Sequence, residues 1–278
     1  MKALQDQVIL ITGSTDGLGR LVAQQLAQQG ASVLLHGRDP AKGAAVLGEI
    51  VMATGNPKLR YYNADLSSLD EVRDLALRIR INEPRLDVLV NNAGIGPIAP
   101  GLPRRLSADG HELLFAVNYL AGFLLARELL PLLLTCAPAR IVNVASIGQQ
   151  TLDFANLMLE HDYDDARAYR QSKLAQILDT FTLAAELEGC GATVNCLHPA
   201  TLMDTKMVHD GAGYFPGVKS TTEQGAAALV QLICAPGLEG VTGRYYDGQV
   251  EARANEQAYD LESRQRLLQL SKQLCNIT

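Results

Sequence analysis

Val8 to Arg20 reads V-I-L-I-T-G-S-T-D-G-L-G-R, and no other stretch constrains the fold as strongly. An apolar, β-branched run breaks at Gly13, and a helical pattern takes over from Leu18. The order is buried strand, glycine-rich turn, helix. Gly13, Gly17 and Gly19 let the backbone turn sharply and let an anion come close to it. The following helix offers unpaired N–H groups and the positive end of its dipole, so such a turn favours a phosphate. The spacing G-x-x-x-G-x-G differs from the G-x-G-x-x-G fingerprint. An ordinary tight turn is the competing reading of this stretch alone.

Strand-like and helix-like segments alternate through the rest of the chain. Strands are expected at Ser32–His36, Lys58–Asn63, Leu86–Asn91, Arg140–Ala145, Ala192–Leu197 and Thr242–Tyr246. Helices fall between them: one ending at Gly30, one opened by Asp39-Pro40, and one from about Ser68. A long helix from Ser107 carries Asn118, another carries Tyr169 and Lys173, and further helices cover Glu223–Ile233 and the tail from about Ala254. Gly94–Pro103, the acidic stretch from Ser146 to about Ala166, and Ala200–Thr222 read as loops. This is the signature of an α/β, doubly wound parallel sheet of about seven strands in a single domain spanning 1–278. Ligands of such sheets sit outside the carboxyl ends of the strands. Gly13, Asp65, Asn91–Gly94, Ser146 and His198-Pro199 all fall there, so five strand ends point at one crevice.

Bulk properties narrow the class. Hydrophobic residues make up 47% of 278, enough for a sizeable core. The most apolar region, Leu113–Leu134, contains Asn118, Arg127 and Glu128, so a buried or interface helix is expected there rather than a membrane span. The first strand follows Met1-Lys2 within a few residues, leaving no room for a signal peptide. Cys136, Cys190, Cys196, Cys234 and Cys275 lack C-x-x-C spacing, which fits a cytoplasmic location better than disulfides or zinc. A net charge of −6 and the lack of a basic run argue against nucleic acid. Glu160–Asp165 reads as a solvated acidic loop, and no metal site is expected.

An ordered set of motifs now carries a resemblance. It comprises Thr12–Gly19, Asp65-Leu66, Asn91–Gly94, Val117-Asn118, Asn143–Ser146, Tyr169–Lys173 (Y-R-Q-S-K) and His198-Pro199. The set resembles the short-chain dehydrogenase/reductase family over nearly the whole chain. Tyr169 is the only tyrosine of nine with a lysine four positions on, a spacing that puts both on one helix face. The resemblance implies a Rossmann-type sheet, a nicotinamide cofactor and a catalytic group of Asn118, Ser146, Tyr169 and Lys173. Tyr169 is then the general acid, Ser146 holds the substrate oxygen, and Asn118 anchors a water that relays protons to Lys173. A free phenol ionises near ~10, and a neighbouring cation is expected to lower that value. Gly13, Ser14, Asp16, Gly17, Leu18, Gly19, Asp65, Leu66, Asn92, Ala93, Gly94 and Pro199 are implied cofactor contacts, together with Tyr169 and Lys173. Helix capping is a competing role for Asp65, turn formation for Asn91 and Asn92, and a structural role for His198.

The second strand ends His36-Gly37-Arg38-Asp39. A carboxylate there serves NAD and a cation serves the NADP phosphate. Arg38 can grip a phosphate bidentately, while Asp39 before Pro40 fits an N-cap, so NADP is expected over NAD. Ala200 stands where the family often has glycine, and Thr201 and Thr205 both remain candidates for cofactor contact. Ser146 and Tyr169 are 23 positions apart, about ten more than is common in the family. The extra residues, 151–165, resemble an insertion of the retinol-dehydrogenase-like branch, which also favours an Arg after the second strand. Segments 151–165 and 200–222 are the candidate substrate walls. The expected substrate is a small-molecule carbonyl or alcohol. In the family the helices of Asn118 and Tyr169 often pair between subunits, giving a possible homodimer or homotetramer. A catalytically silent cofactor-binding sensor on the same fold and a methyltransferase are the alternatives. Neither needs Tyr169 four residues before Lys173.

Overall fold

The computed structural model describes residues 2–211, 213–214 and 217–277. Met1 and Thr278 of the expected domain, and Ala212, Phe215 and Pro216 of the 200–222 wall, lie outside the described residues.

Eight strands form one sheet in the order β3-β2-β1-β4-β5-β6-β7-β8. They are β1 (Val8–Ile11), β2 (Ser32–Gly37), β3 (Leu59–Asn63), β4 (Val88–Asn91), β5 (Ala139–Val144), β6 (Ala192–His198), β7 (Tyr245–Asp247) and β8 (Val250–Ala252). All neighbouring pairs are parallel except β7 and β8. β8 adds one short edge strand to the expected seven. Its three residues, two of them exposed, follow Gly248 and give no periodic signal.

Side chains of β1 alternate between the two faces of the sheet. Val8 and Leu10 join one core and Ile9 and Ile11 the other. The second core is closed by α1 (Gly17–Gln28), α2 (Pro40–Thr54) and α8 (Thr222–Cys234). The first is closed by α3 (Leu69–Asn82), α5 (Ala121–Thr135), α6 (Asp165–Glu186) and α9 (Leu261–Leu274). Asp39 caps α2 by accepting the Ala41 and Lys42 N–H groups, with Pro40 in the first turn.

The Asn118 helix starts later than its sequence indicates. Ser107 instead closes a turn, accepting the N–H groups of Asp109 and His111. Glu112 is the N-cap of α4 (Leu113–Phe115). A π-helical turn, Ala116–Leu120, joins α4 to α5, and Asn118 sits inside it. Together Leu113–Thr135 is long and apolar enough to cross a membrane, but 67% of its most apolar window is buried inside the protein. The short α7 (Lys206–Asp210) lies within the 200–222 segment, and helix α9 packs on the α6 face of the same chain. Tyr119 Oη and Ser271 Oγ meet there at 2.7 Å, and Arg264 donates to the Phe181 carbonyl and to Thr182 Oγ1.

Candidate active site

The strand ends converge as expected, and the turn after β1 forms the floor. Thr12 Oγ1 accepts the N–H groups of Asn92 and Ala93, each at 3.0 Å. Asn92 Nδ2 donates back to the carbonyls of Thr12 (2.8 Å) and Gly13 (3.2 Å). Two of the glycines are needed for this close approach. A Cβ on Gly13 would stand 2.8 Å from Ala93 Cα, and one on Gly19 would stand 2.5 Å from the Gly13 carbonyl oxygen. Gly17, at φ +47°, has more room: its nearest neighbour would be Thr205 Cγ2 at 3.4 Å. The first turn of α1, whose N–H groups have no intrahelical partners, thus faces the 201–205 segment across a narrow gap. That arrangement suits a diphosphate.

Several expected contact residues turn out to build this floor. The Ser14 hydroxyl is fully buried, donating to the Ile11 carbonyl (2.9 Å) and accepting the His36 N–H (2.9 Å). Its side chain therefore holds the turn and does not face the crevice. Asp16 caps α1 through the Gly17 N–H (2.8 Å) and pairs with Lys42 at 2.7 Å. Lys42 holds its carboxyl below the usual range. Leu18 and Leu66 are core residues. Asp65 accepts the Ser67 N–H at 2.9 Å in a side-chain turn, while Ser68 takes the cap of α3. Arg38 is exposed and has no ion-pair or hydrogen-bond partner among the described residues.

His36 is a residue that sequence reading passed over. Its Nδ1 accepts the Gly13 N–H at 3.2 Å, directly under the turn. A ring nitrogen that accepts must be unprotonated. Burial enforces this, pushing the His36 pKa down to about 4. The unfolded chain takes up a proton near 6.5 that the folded chain refuses. This contribution to stability is therefore complete above about pH 6.5 and is lost as pH falls toward 4. Urea unfolding across that window should show a steeper loss for wild type than for His36→Asn, which keeps an acceptor without titrating. Parallel curves would remove His36 from the acid response.

The four catalytic candidates come together above the floor. Lys173 Nζ donates to the Val144 carbonyl (2.9 Å) and to Gln176 Oε1 (3.0 Å). It stands 5.7 Å from the centre of the Tyr169 ring. A Cβ on Gly94 would lie 3.2 Å from Asn118 Oδ1 and 3.6 Å from Lys173 Nζ, so these three residues are neighbours. Asn118 Oδ1 accepts the Ile95 N–H, while Nδ2 donates to the Ile95 carbonyl and to Ser172 Oγ. Ser146 Oγ accepts the Gly148 N–H at 3.0 Å, and its own hydrogen is directed to the Tyr169 oxygen. Gln149 braces that loop, donating to the Ser146 carbonyl (3.0 Å) and accepting the Asn255 N–H (2.7 Å). Residues 149 and 255 lie too far apart in sequence for any local pattern to reveal the brace.

The ionisation of Tyr169 runs opposite to expectation. Burial raises its pKa, and the hydrogen bond with Ser146 opposes the rise without cancelling it. Lys173 does not pull it down, because the buried lysine loses its own proton below the pH at which the phenol ionises. With no carboxylate in contact, its pKa falls to about 7.

The outer walls are linked to the catalytic helix. Asp165 is buried, correcting the expectation of a wholly solvated acidic loop. Its Oδ2 accepts the Ile98 N–H at 2.9 Å. Tyr163 donates to Glu112, and Tyr214 Oη donates to Asp164 Oδ2 at 3.4 Å. Much of the 151–165 segment packs away from the crevice: Leu152 pairs with the Gln257 side chain, and Arg266 lies over Phe154. In the 200–222 segment, His198 Nε2 engages Thr201 Oγ1 at 3.0 Å, leaving Thr205 as the threonine beside Gly17. Pro199 is buried beneath them. Among the described residues no group of three or more His, Cys, Asp or Glu could hold a metal.

Known proteins are similar to this chain in sequence and in fold. Retinol dehydrogenase 13 of Mus musculus is 35% identical over 285 residues, covering 98% of this chain and 84% of that protein. A short chain dehydrogenase of Shigella flexneri, solved in complex with NADP, superposes with a TM-score of 0.70 at 29% identity, covering 89% and 98% of the two chains. RhlG of Pseudomonas aeruginosa, solved with NADP, gives 0.72 at 29% identity, covering 89% and 97%. Residues 7–212 match the family described as short chain dehydrogenase. With the sheet, the glycine turn and the Asn-Ser-Tyr-Lys cluster in place, the chain belongs to the short-chain dehydrogenase family of oxidoreductases.

Proposed function

We propose that the protein transfers hydride between NADP(H) and an apolar alcohol or aldehyde of the retinoid type, with Tyr169 as the proton donor and acceptor. The observation that carries this reading is the meeting of Ser146, Tyr169, Lys173 and Asn118 beside Gly94 and the glycine turn. When bound, the nicotinamide supplies or takes the hydride. Tyr169 gives its proton to the carbonyl oxygen in reduction and takes the alcohol proton in oxidation. Ser146, which engages the Tyr169 hydroxyl in this structure, donates its hydrogen to the same substrate oxygen and holds it near the phenol. Lys173, beside Asn118, exchanges the proton that Tyr169 loses or gains.

The residues fit an NADP phosphate. Arg38 is exposed and unpaired among the described residues, and the Asp39 carboxylate is occupied by the α2 N-terminus. Two of the structural neighbours carry NADP. The substrate class rests on the retinol dehydrogenase relative and on exposed apolar side chains in the loops that follow β4 and β5: Ile98, Leu102, Leu106 and Ile147.

Calorimetric titration with NADPH and NADH tests the cofactor. Charge-assisted hydrogen bonds are worth about 1.5–3 kcal/mol, so Arg38→Ala should weaken NADPH roughly 10- to 100-fold while leaving NADH within about twofold. Equal losses for both would sink the assignment of Arg38. Reduction of all-trans-retinal by NADPH, followed by absorbance, tests the substrate class. Turnover of short-chain ketones but not retinal would overturn it.

A further inference from the structure

We propose that Gln176 is the positioning residue of Lys173: its neutral amide oxygen fixes the ammonium against β5. The inference rests on the catalytic reading above and adds a residue to it.

Lys173 is almost fully buried. Its two hydrogen-bond acceptors are both neutral, the Val144 carbonyl at 2.9 Å and Gln176 Oε1 at 3.0 Å. Gln176 lies three residues further along α6, so its side chain rises on the same helix face. Gln176 also lines a cavity of about 10 Å³, together with Asn143, Tyr119 and Asp179, close to the size that admits one water. Asp179 is held there by Arg127 at 2.8 Å.

The chemistry explains why an amide suits this position. A carboxylate at 3 Å would stabilise the ammonium and bind its proton too firmly for exchange with Tyr169. An apolar side chain would remove an acceptor from a buried cation and leave it under-solvated. An amide oxygen holds Nζ in place without locking its charge. The remaining titratable or charged groups facing Lys173 are Tyr169 on α6 and His198 on β6, while Asp179, which lines the same cavity as Gln176, is paired with Arg127. None of these provides the direct contact that Gln176 does.

The chain has seven lysines, so ε-¹³C-lysine labelling gives few resonances, and Lys173→Arg assigns the one of interest. Its titration is followed in the NADP⁺-bound protein for wild type, Gln176→Glu and Gln176→Leu. Gln176→Glu should raise the Lys173 midpoint by about one pH unit or more, and Gln176→Leu should lower it. A packing role alone would not produce shifts of opposite sign. Midpoints that stay put, or that move the same way in both variants, would overturn the proposal. If Gln176→Leu fails to fold, the near-isosteric Gln176→Glu still decides: an unmoved midpoint refutes the inference. The titration needs no substrate, so its failure is distinguishable from failure of the catalytic reading, which Tyr169→Phe tests by turnover.

Discussion

Tyr169→Phe should lower turnover by about 10²- to 10⁴-fold, the usual contribution of a positioned general acid, while the NADPH dissociation constant stays within about twofold. The substitution removes one oxygen and keeps the ring. The ring remains in α6, packed against the cluster of Leu114, Leu159 and Ala168 and 5.7 Å from Lys173 Nζ. What disappears is the only hydrogen at this position that can follow hydride onto a carbonyl oxygen. Ser146 has a hydroxyl hydrogen, but an aliphatic hydroxyl is too weak an acid to release it at neutral pH. Lys173 is buried behind the phenol against Val144 and Gln176. Stability should change little, since Ser146 is the partner of the Tyr169 hydroxyl and regains freedom when it goes. Single-turnover absorbance at 340 nm with retinal, beside calorimetric NADPH binding, separates the two effects. Wild-type turnover in the variant would end the role of Tyr169 as proton donor. Loss of NADPH binding would make the residue structural. A wild-type protein that binds NADPH but reduces no aldehyde would favour the silent cofactor-binding protein instead.

The upward shift of Tyr169 in this structure sharpens that expectation. A phenol raised by burial is a donor in waiting, and reduction needs the protonated form. Oxidation needs the phenolate, so it depends more heavily on Lys173 as the group that takes up the proton Tyr169 gives away. Variants that neutralise Lys173 should therefore harm alcohol oxidation more than carbonyl reduction.

The parts of the site that were legible in the sequence are those encoded locally. The glycine turn, the Asp39-Pro40 cap and the Tyr169–Lys173 spacing each lie within a few residues, where strand and helix periodicities speak directly. The order of motifs then located the crevice, because parallel strands with short connections bring their carboxyl ends to one edge. What escaped depends on tertiary contact. His36 reaches Gly13 across 23 positions, Gln149 reaches Asn255 across 106, and the Asp179 carboxylate meets Arg127 across 52. No propensity reports such pairs. Ser107 looked like a helix start because serine favours N-caps, but Glu112 took that role by accepting the Phe115 N–H. The direction of the Tyr169 shift was not legible because the sequence reveals a nearby lysine but not its burial, and burial lowers that lysine's pKa so that it is neutral where the phenol ionises.

Arg127→Met should destabilise the protein by about 3–5 kcal/mol, the cost of leaving one member of a buried ion pair without its partner. Arg127 and Asp179 join α5 to α6 directly behind the catalytic residues, with side chains 11% and 7% exposed. The guanidinium donates to both carboxylate oxygens, at 2.8 and 3.4 Å, and lies 3.6 Å from the centre of the Phe123 ring. Glu186, at 3.6 Å, is a weaker and more exposed partner. Methionine fills much of the space but leaves Asp179 as an unmatched charge in a dry interior. Domains of this kind are stable by only about 5–15 kcal/mol, so the loss is a large share of the total. The melting temperature should fall by roughly 6–20 °C. The double variant Arg127→Met, Asp179→Leu removes the stranded charge and should recover most of the loss, because a well-packed apolar pair often replaces a buried ion pair at little cost. Urea unfolding of wild type, both single variants and the double variant completes the cycle. A double variant as unstable as the sum of the singles would mean that the pair is not coupled, and that α5 and α6 are held together by their apolar contacts alone.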